Sequence, residues 1–399
     1  MTVARGLART WCEVDLARLR ANTQALLGLL TPTTKLAAVV KADAYGHGLS
    51  LAARAFVAGG AHWLAVDSLE EAERLNAAGF DQPTLVMGWL PPEAYSEAVR
   101  LGVRVVVYDR ETINGLARAA EGLKRTVPVH LKLETGNNRQ GVRLDEALAL
   151  AAQIARSPGV VLEGLSTHFA DIEDTTDHTF ARRQLELFQE NSERLGAAGH
   201  RPSMVHAANS AATLLCPESH LNLVRPGIAS YGMWPSRETF ISALMGRNER
   251  VVLSPALTWK TRIAQVRAVA AGESIGYGRT HQVTHPIRLA VLPVGYYDGY
   301  DRRLSNLAYV LVGGRRAPVL GRVCMNMVMV DVTDIPGAAA GHEVVLLGEQ
   351  GSERVSAETL ADWVGTINYE VTTRIAAHVP RVPVGDLSHL DFSFRKERQ

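Results

Sequence analysis

From the first helical stretch to about residue 230 the chain alternates two apolar patterns. Short aliphatic and β-branched runs are separated by longer stretches in which apolar residues recur every three or four positions. The runs are LAAVV (36–40), HWLAVD (62–67), TLVMG (84–88), VRVVVYD (103–109), VPVHLKL (127–133), VLEGLSTH (161–168), SMVHAA (203–208) and NLVRPG (222–227). Between them lie segments of helical period, among them LSLAARAFVAGG, LEEAERLNAAGF and TFARRQLELFQENSERLGAAG, and DLARLRANTQALLGLL precedes the first run. Strands joined by helical crossovers predict a parallel sheet covered on both faces. Their number predicts an α/β fold of the (β/α)8 TIM-barrel type, close to that fold's typical length of ~250 residues. An open doubly wound sheet would show fewer strands and a Gly-rich first turn, which this chain lacks.

Beyond about residue 250 the texture changes. IRLAVLPVGYYDGY, AYVLVGGRRAPVLGRVCMNMVMVDVTD and HEVVLLGEQ read as strands separated by Gly-containing turns, without regular crossovers. That pattern predicts a mainly β C-terminal domain. Two short helices close it, one capped by Ser356 and one at NYEVTTRIAAHV. The expected division is a barrel over 12–250 and a β domain over 251–399, with residues 1–11 packing against the latter.

Composition adds limits. A net charge of +1, with no block of like charge, gives no surface for nucleic acid or anionic membrane. No apolar run approaches the roughly 18–20 residues of a membrane helix, and the N-terminus lacks a signal-peptide core. Cys12, Cys216 and Cys324 are few and far apart, which fits a reducing compartment. The expected location is the cytoplasm.

Barrel chemistry sits at the carboxyl ends of the strands. The first run ends at Lys41, in VVKADAYGHG; the fifth brings Lys132 and then Arg139; the sixth ends at His168. The seventh leads into Asn209 and Ser210, and the eighth carries Arg225, followed by Gly227 and Ile228. Taken singly, each has an ordinary explanation: a solvated lysine, a structural histidine, an ion-paired arginine, a turn glycine. Together they place an amine beside a helix N-terminus and a glycine, the usual phosphate cradle of barrels. An amine beside a phosphate anchor is what pyridoxal phosphate requires. No HxH pair and no H-E-x-x-H occur, so no metal site is expected.

The order VVKADAYGHG, THFA, HAANSAAT, VRPGIASYG, SIGYGRTHQ, PVGYYDGY, GRVCMNMVMVDVTD and INYEV resembles the alanine racemases, barrel-type pyridoxal-phosphate enzymes. WCEVDLARLRANTQ at the start and HVPRVPV near the end extend the resemblance over nearly the whole chain. It implies a barrel followed by a β domain, pyridoxal 5′-phosphate as cofactor, alanine as substrate, and D-alanine supplied for peptidoglycan of the cell wall. It implies a homodimer with composite active sites. Lys41 would be the Schiff-base lysine and the base for the D-enantiomer, and Tyr277 the base for the L-enantiomer. Arg225 would face the pyridine nitrogen, while Tyr45, Ser210, Gly227, Ile228 and Tyr369 would hold the phosphate. Arg139 and Met325 would meet the substrate carboxylate and neighbouring atoms. His168 would link Tyr277 to Arg225 by hydrogen bonds, and Tyr296 would line the entry path. In some members the lysine matching Lys132 is carbamylated and steadies the arginine matching Arg139.

The chemistry agrees with these roles. Racemisation needs a proton donor on each face of Cα, since one base could only return the proton to the face it left. A permanently charged arginine at the ring nitrogen keeps that nitrogen unprotonated and suppresses transamination. Two positions depart from the family pattern: Asn326 stands where Asp is usual, and Glu134-Thr135-Gly136-Asn137 replaces Asp-Thr-Gly-Met. Neither is a proton-transfer residue. The alternatives are a racemase of broader specificity, a barrel-type pyridoxal-phosphate amino-acid decarboxylase, and a cofactor carrier built from the barrel alone. SIGYGRT with VCMNM argues against the decarboxylase, and the β domain against the carrier.

Overall fold

The computed structural model of the protein describes residues 8–246 and 251–385. They form two compact units: one spans 17–44 and 49–255, the other comprises residues up to Leu16, 45–48 and those from Ala256 onward. The first strand, β1 (Thr10–Asp15), belongs to the second unit and is taken up with it below.

Eight strands build the first unit: β2 (Lys35–Val39), β3 (Trp63–Val66), β4 (Thr84–Val86), β5 (Arg104–Val107), β6 (Val127–Lys132), β7 (Val160–Ser166), β8 (Met204–His206) and β9 (Leu223–Val224). They pair in parallel in the order β8-β7-β6-β5-β4-β3-β2-β9. The β8–β9 seam is bridged by Asn222 N–H to Val205 O at 3.1 Å and Arg225 N–H to Ala208 O at 2.9 Å. These are the eight runs read from the sequence. They read as near-continuous apolar segments because interior and helix-facing sides are both buried: Leu36, Ala37, Ala38, Leu64, Ala65, Leu131 and Leu165 are all fully enclosed.

Helix Leu16–Leu27 is tied to the chain that leaves the barrel. Asn22, buried, donates Nδ2–H to Ser254 O at 2.9 Å and accepts Ser254 N–H at 2.9 Å. Gly232 makes this approach possible: its φ is +88°, and a Cβ there would lie 1.9 Å from Ser254 O.

The second unit is mainly β. Strand β10 (Leu257–Arg262) runs antiparallel to β1, with Trp11 opposite Lys260 and Glu13 opposite Thr258. Next in the chain are β11 (Gln265–Val269), the short pair β12 (Ser274–Ile275) and β13 (His281–Gln282), and β14 (Ile287–Leu292). After them come β15 (Tyr309–Val312), β16 (Arg315–Pro318), β17 (Val328–Asp331), β18 (Glu343–Gln350), β19 (Glu353–Val355) and β20 (Arg381–Val384). The large sheet has the order β16-β15-β18-β10-β1-β20, with β19 on β18, and β11-β14-β17 form a smaller one. Val269, Ile275, Val283, Ile287, Leu289, Leu320 and Met329 form a separate core cluster there.

One boundary differs from the sequence expectation. Residues 12–15 lie in β1, between β10 and β20, and not in the barrel, which the chain enters at residue 17. The pairing of TWCEVD with strands about 250 and 370 positions away leaves no local mark on the sequence. Of residues 1–11, expected to pack against the β domain, 1–7 lie outside the described residues. Arg9 O accepts from Thr261 Oγ1 at 2.8 Å.

Asn22→Ala should destabilise the barrel unit by about 1–3 kcal/mol, because it removes both part-buried hydrogen bonds to the Ser254 backbone. The fall in thermal midpoint measures it, and an unchanged midpoint would refute the closing role assigned to Asn22.

Candidate active site

The lysine sits on unusual backbone. After β2 the chain turns through Ala42, Asp43, Ala44 and Tyr45, with φ of 54°, 50°, 56° and 52°. Consecutive L-residues in the left-handed region cost about 1–2 kcal/mol each, so the turn persists only if its surroundings hold it. Here Ala42 N–H donates to Glu71 Oε1 at 2.6 Å, and Ala44 N–H to Val40 O at 2.8 Å. The Asp43 carboxylate accepts Leu49 N–H at 3.1 Å and Arg74 Nη2 at 2.7 Å. The strand behind the turn is pinned as well: Val39 N–H bonds Pro226 O, and the hydroxyl of buried Tyr231 bonds Val39 O at 2.8 Å. Lys41 Nζ lies 3.5 Å from Asp67 Oδ1, at the end of β3.

After β8, one strand beyond the neighbour β9 of the lysine strand, helix Ser210–Leu215 begins with Asn209 as its cap, the side chain accepting Ala212 N–H at 2.9 Å. Ser210 Oγ accepts Gly227 N–H at 2.8 Å and Ala229 N–H at 3.3 Å. A hydroxyl that accepts twice from backbone is left with its proton to donate elsewhere. Ile228 opens a 3-10 turn, so its N–H has no partner within that turn. A hydroxyl with a proton to spare and an amide without a hydrogen-bond partner among the described residues, at adjacent loop ends, are donors suited to a phosphate.

Arg225 is buried, and burial lowers its pKa only to about 10, so it stays cationic. Its Nη2 donates to Thr167 O at 2.9 Å and Ala207 O at 3.1 Å, and its Nη1 bonds His206 Nδ1. No hydrogen bond joins Arg225 to His168 among the described residues. The expected His168–Arg225 link is therefore replaced by contact with the neighbouring Thr167 carbonyl and with His206. His168 still feels the charge: burial, then Arg225, Lys132, Arg139 and Lys41, holds it neutral, well below the ordinary histidine range.

Lys132, Arg139 and His168 line one cleft with Glu134, Asn137, Gln140 and Thr167. Lys132 Nζ donates to Gln140 Oε1 at 3.1 Å, and Asn137 Nδ2 to Phe169 O at 3.2 Å. Burial, together with Arg225, Arg139 and Lys41, pulls the Lys132 amine down to about 7.

The other residues singled out in the sequence lie in the β unit. Tyr45 and Tyr369 bring their rings to 6.0 Å. Tyr296 N–H bonds Cys324 O at 3.1 Å and Tyr297 N–H bonds Met325 O at 3.0 Å, so Tyr296 and Met325 share one surface. Gly295 permits that contact, since a Cβ there would meet Cys324 O at 2.2 Å. Buried Asp298 anchors the turn through Gly295 N–H at 3.0 Å and His378 Nε2 at 2.8 Å. Tyr277 follows Gly276 (φ +70°) and is 72% exposed.

Sequence reading missed His206, Asp43, Glu71, Asp67 and Asp298. His206 and Asp67 stand at the ends of recognised strands, and Glu71 completes a Ser68-x-x-Glu71 capping box, so these could have been read; Asp298 accepts from partners that only the folded turn brings to it.

The barrel mouth thus offers an amine at Lys41, a permanent cation at Arg225 and hydroxyl and amide donors at 210 and 228. That donor set suits a carbonyl, a ring nitrogen and a phosphate, which defines the barrel class of pyridoxal-phosphate enzymes. Family models for the alanine racemase N-terminal and C-terminal domains match residues 14–235 and 256–383. Alanine racemase of Symbiobacterium thermophilum is 43% identical over 381 residues, covering 96% of this chain and 98% of its own. That of Desulfovibrio desulfuricans is 41% identical, covering 94% and 98%. Among solved structures, alanine racemase from Streptomyces coelicolor A3(2) superposes with TM-score 0.88 at 37% identity, covering 96% of this chain and all of its own. The Bacillus anthracis alanine racemase with bound L-Ala-P gives TM-score 0.88 at 34% identity, covering 95% of each chain. The chain belongs to the alanine racemase family.

Lys132 makes the stability of the barrel depend on pH. Its folded pKa of about 7 lies below the unfolded value of about 10.4, so between them the unfolded chain binds the extra proton and stability rises with pH. In carbonate-free buffer, Lys132→Met should flatten that rise between neutrality and pH 10. A profile unchanged by the substitution would show that the amine titrates normally.

Proposed function

We propose that this protein interconverts L- and D-alanine as a pyridoxal 5′-phosphate-dependent two-base racemase, and that it works in the cytoplasm to supply D-alanine for peptidoglycan precursors. The observation that carries the reading is the joint placement of Lys41, Arg225 and the Ser210–Ile228 donors at one barrel mouth in a chain of this family. When bound, the cofactor withdraws electrons from the substrate Cα.

The residues divide the remaining work. Lys41 holds the cofactor and moves the proton on one face of Cα; Tyr277 moves it on the other. Ser210, Gly227, Ile228, Tyr45 and Tyr369 anchor the phosphate, with Gly227 acting through the Ser210 hydroxyl its N–H already orients. Arg225 points a permanent cation at the ring nitrogen. Arg139 and Met325 receive the substrate carboxylate and its surroundings, and Tyr296 lines the entry. His168, kept neutral, serves as a hydrogen-bonding group beside Arg225 and not as a second charge.

An amine that is about half neutral near pH 7 can add CO2, releasing a proton and leaving a carbamate. At Lys132 this would exchange a cation among cations for an anion facing Arg139. Native mass spectrometry should find one CO2 on the wild-type chain and none on Lys132→Met.

We further propose a head-to-tail homodimer in which each site takes Lys41 from one chain and Tyr277 from the other. The exposure of Tyr277, Met325 and Met327, at 72%, 55% and 53%, supports a surface that a second copy covers. Mixing inactive Lys41→Ala and Tyr277→Phe subunits should restore one working site per heterodimer. No recovery, despite verified subunit exchange, would place both bases in one chain.

The function itself is tested by incubating the holoenzyme with a panel of L-amino acids and measuring the enantiomers formed. Alanine should react fastest, with slow turnover of 2-aminobutyrate because a small apolar pocket discriminates by only ~1–3 kcal/mol per methylene. Borohydride reduction should fix the cofactor on the peptide VVKADAYGHG. Faster racemisation of lysine or arginine, or label elsewhere, would overturn the assignment.

A further inference from the structure

A line of side chains runs from buried Arg225 through two buried histidines to the partly exposed pair Glu163 and Arg104. Arg225 Nη1 bonds His206 Nδ1, His206 Nε2 lies 2.7 Å from His130 Nδ1, and His130 Nε2 lies 3.1 Å from Glu163 Oε2. Arg104 closes the line, with Nε 3.1 Å from Glu163 Oε2 and Nη2 3.3 Å from Oε1, its guanidinium resting 5.1 Å over the Trp63 ring. Both histidines are almost wholly enclosed, at 0% and 1% exposure.

Local structure explains how a carboxylate reaches this place. The β6–β7 ladder pairs Val129 with Leu162 but His130 with Gly164, so Glu163 is an extra residue in the strand. A bulge of this kind re-aims a side chain that regular alternation would send elsewhere. Gly164 completes the arrangement, since a Cβ there would stand 2.2 Å from His130 Nδ1.

The direction of every proton follows from chemistry. A guanidinium can only donate, so His206 Nδ1 accepts and its Nε2 carries the hydrogen. His206 therefore donates to His130 Nδ1, and His130 donates from Nε2 to the Glu163 carboxylate. Only this pair of neutral tautomers satisfies all three contacts. Burial, with Arg225 adding to it, keeps His206 well below its usual range, and burial lowers His130 despite its carboxylate partner.

We propose that Glu163 is a positioning residue for the reaction, which through His130 and His206 orients Arg225 and limits how strongly that guanidinium donates to the ring nitrogen. The proposal rests on the cofactor reading above. An anion at the end of a hydrogen-bonded chain polarises each bond towards itself. It draws the Arg225 Nη1 proton towards His206 and balances a cation that shares its mouth with Lys41, Lys132 and Arg139. A purely structural Glu163 would serve only its ion pair with Arg104.

Nitrogen NMR on the full-length apoprotein labelled with 15N-histidine tests the line first. Wild type should show His130 and His206 neutral, each protonated on Nε2. A cationic ring or an Nδ1–H on either histidine overturns the relay, whether or not any variant folds. Glu163→Gln retains an acceptor but removes the charge. Its His206 signals should move, although His206 does not touch residue 163, whereas Arg104→Gln should move them much less. Bound cofactor labelled at the ring nitrogen should then shift upfield in Glu163→Gln, as for a nitrogen receiving a stronger hydrogen bond. His206 and ring-nitrogen signals unmoved in a folded Glu163→Gln protein would leave Glu163 with its ion pair alone. A wild type that shows the tautomers but binds no cofactor would sink the cofactor reading and not the relay.

Discussion

The site depends on one buried cation. Arg225 is enclosed in the barrel, where an unpaired guanidinium would be prohibitively costly, so the neighbouring chain is arranged to accept its hydrogens. Two carbonyls, of Thr167 and Ala207, and one imidazole, of His206, do this. Those acceptors come from the loops after β7 and β8 and from β8 itself, so satisfying Arg225 also sets the spacing of the strand ends around the mouth. Burial, with the same charge adding to it, pulls the Lys132 amine down to about 7 and holds His168 well below the ordinary histidine range.

A second constraint acts at the lysine. Its turn uses a backbone region that L-residues avoid, and is held by Glu71, Asp43 and the Val39–Tyr231 contact. Surrounding bonds retain the strain of residues 42–45, the turn that follows directly on Lys41. The proposed phosphate anchor is equally indirect: the Ser210 hydroxyl accepts from the Gly227 and Ala229 amides, which fix its orientation.

Much of this was legible in the sequence, and the omissions have physical reasons. Apolar runs separated by helical periods gave the eight barrel strands, because burial on both faces leaves an unmistakable continuous pattern. Lys41, Arg139, Ser210 and Arg225 were singled out because barrel chemistry is confined to strand ends. What escaped depends on tertiary partners. β1 acquires its role from strands far away in the chain, and Glu163 lies inside a recognised strand whose bulge appears only in the pairing register. The left-handed turn at 42–45 has no glycine to announce it. Asn137, a departure from the family pattern, has a local explanation in its bond to Phe169 O.

The central claim is that the proton leaves one face of Cα and another arrives from the opposite face, through two separate groups. Incubating the holoenzyme with L-alanine, and separately with D-alanine, in heavy water and analysing the first product formed tests it directly. Two bases predict deuterium at Cα of the product in both directions, while substrate recovered at early times stays largely unlabelled. Product that keeps the original proton at Cα would require a single group swinging between the faces, and would contradict the account.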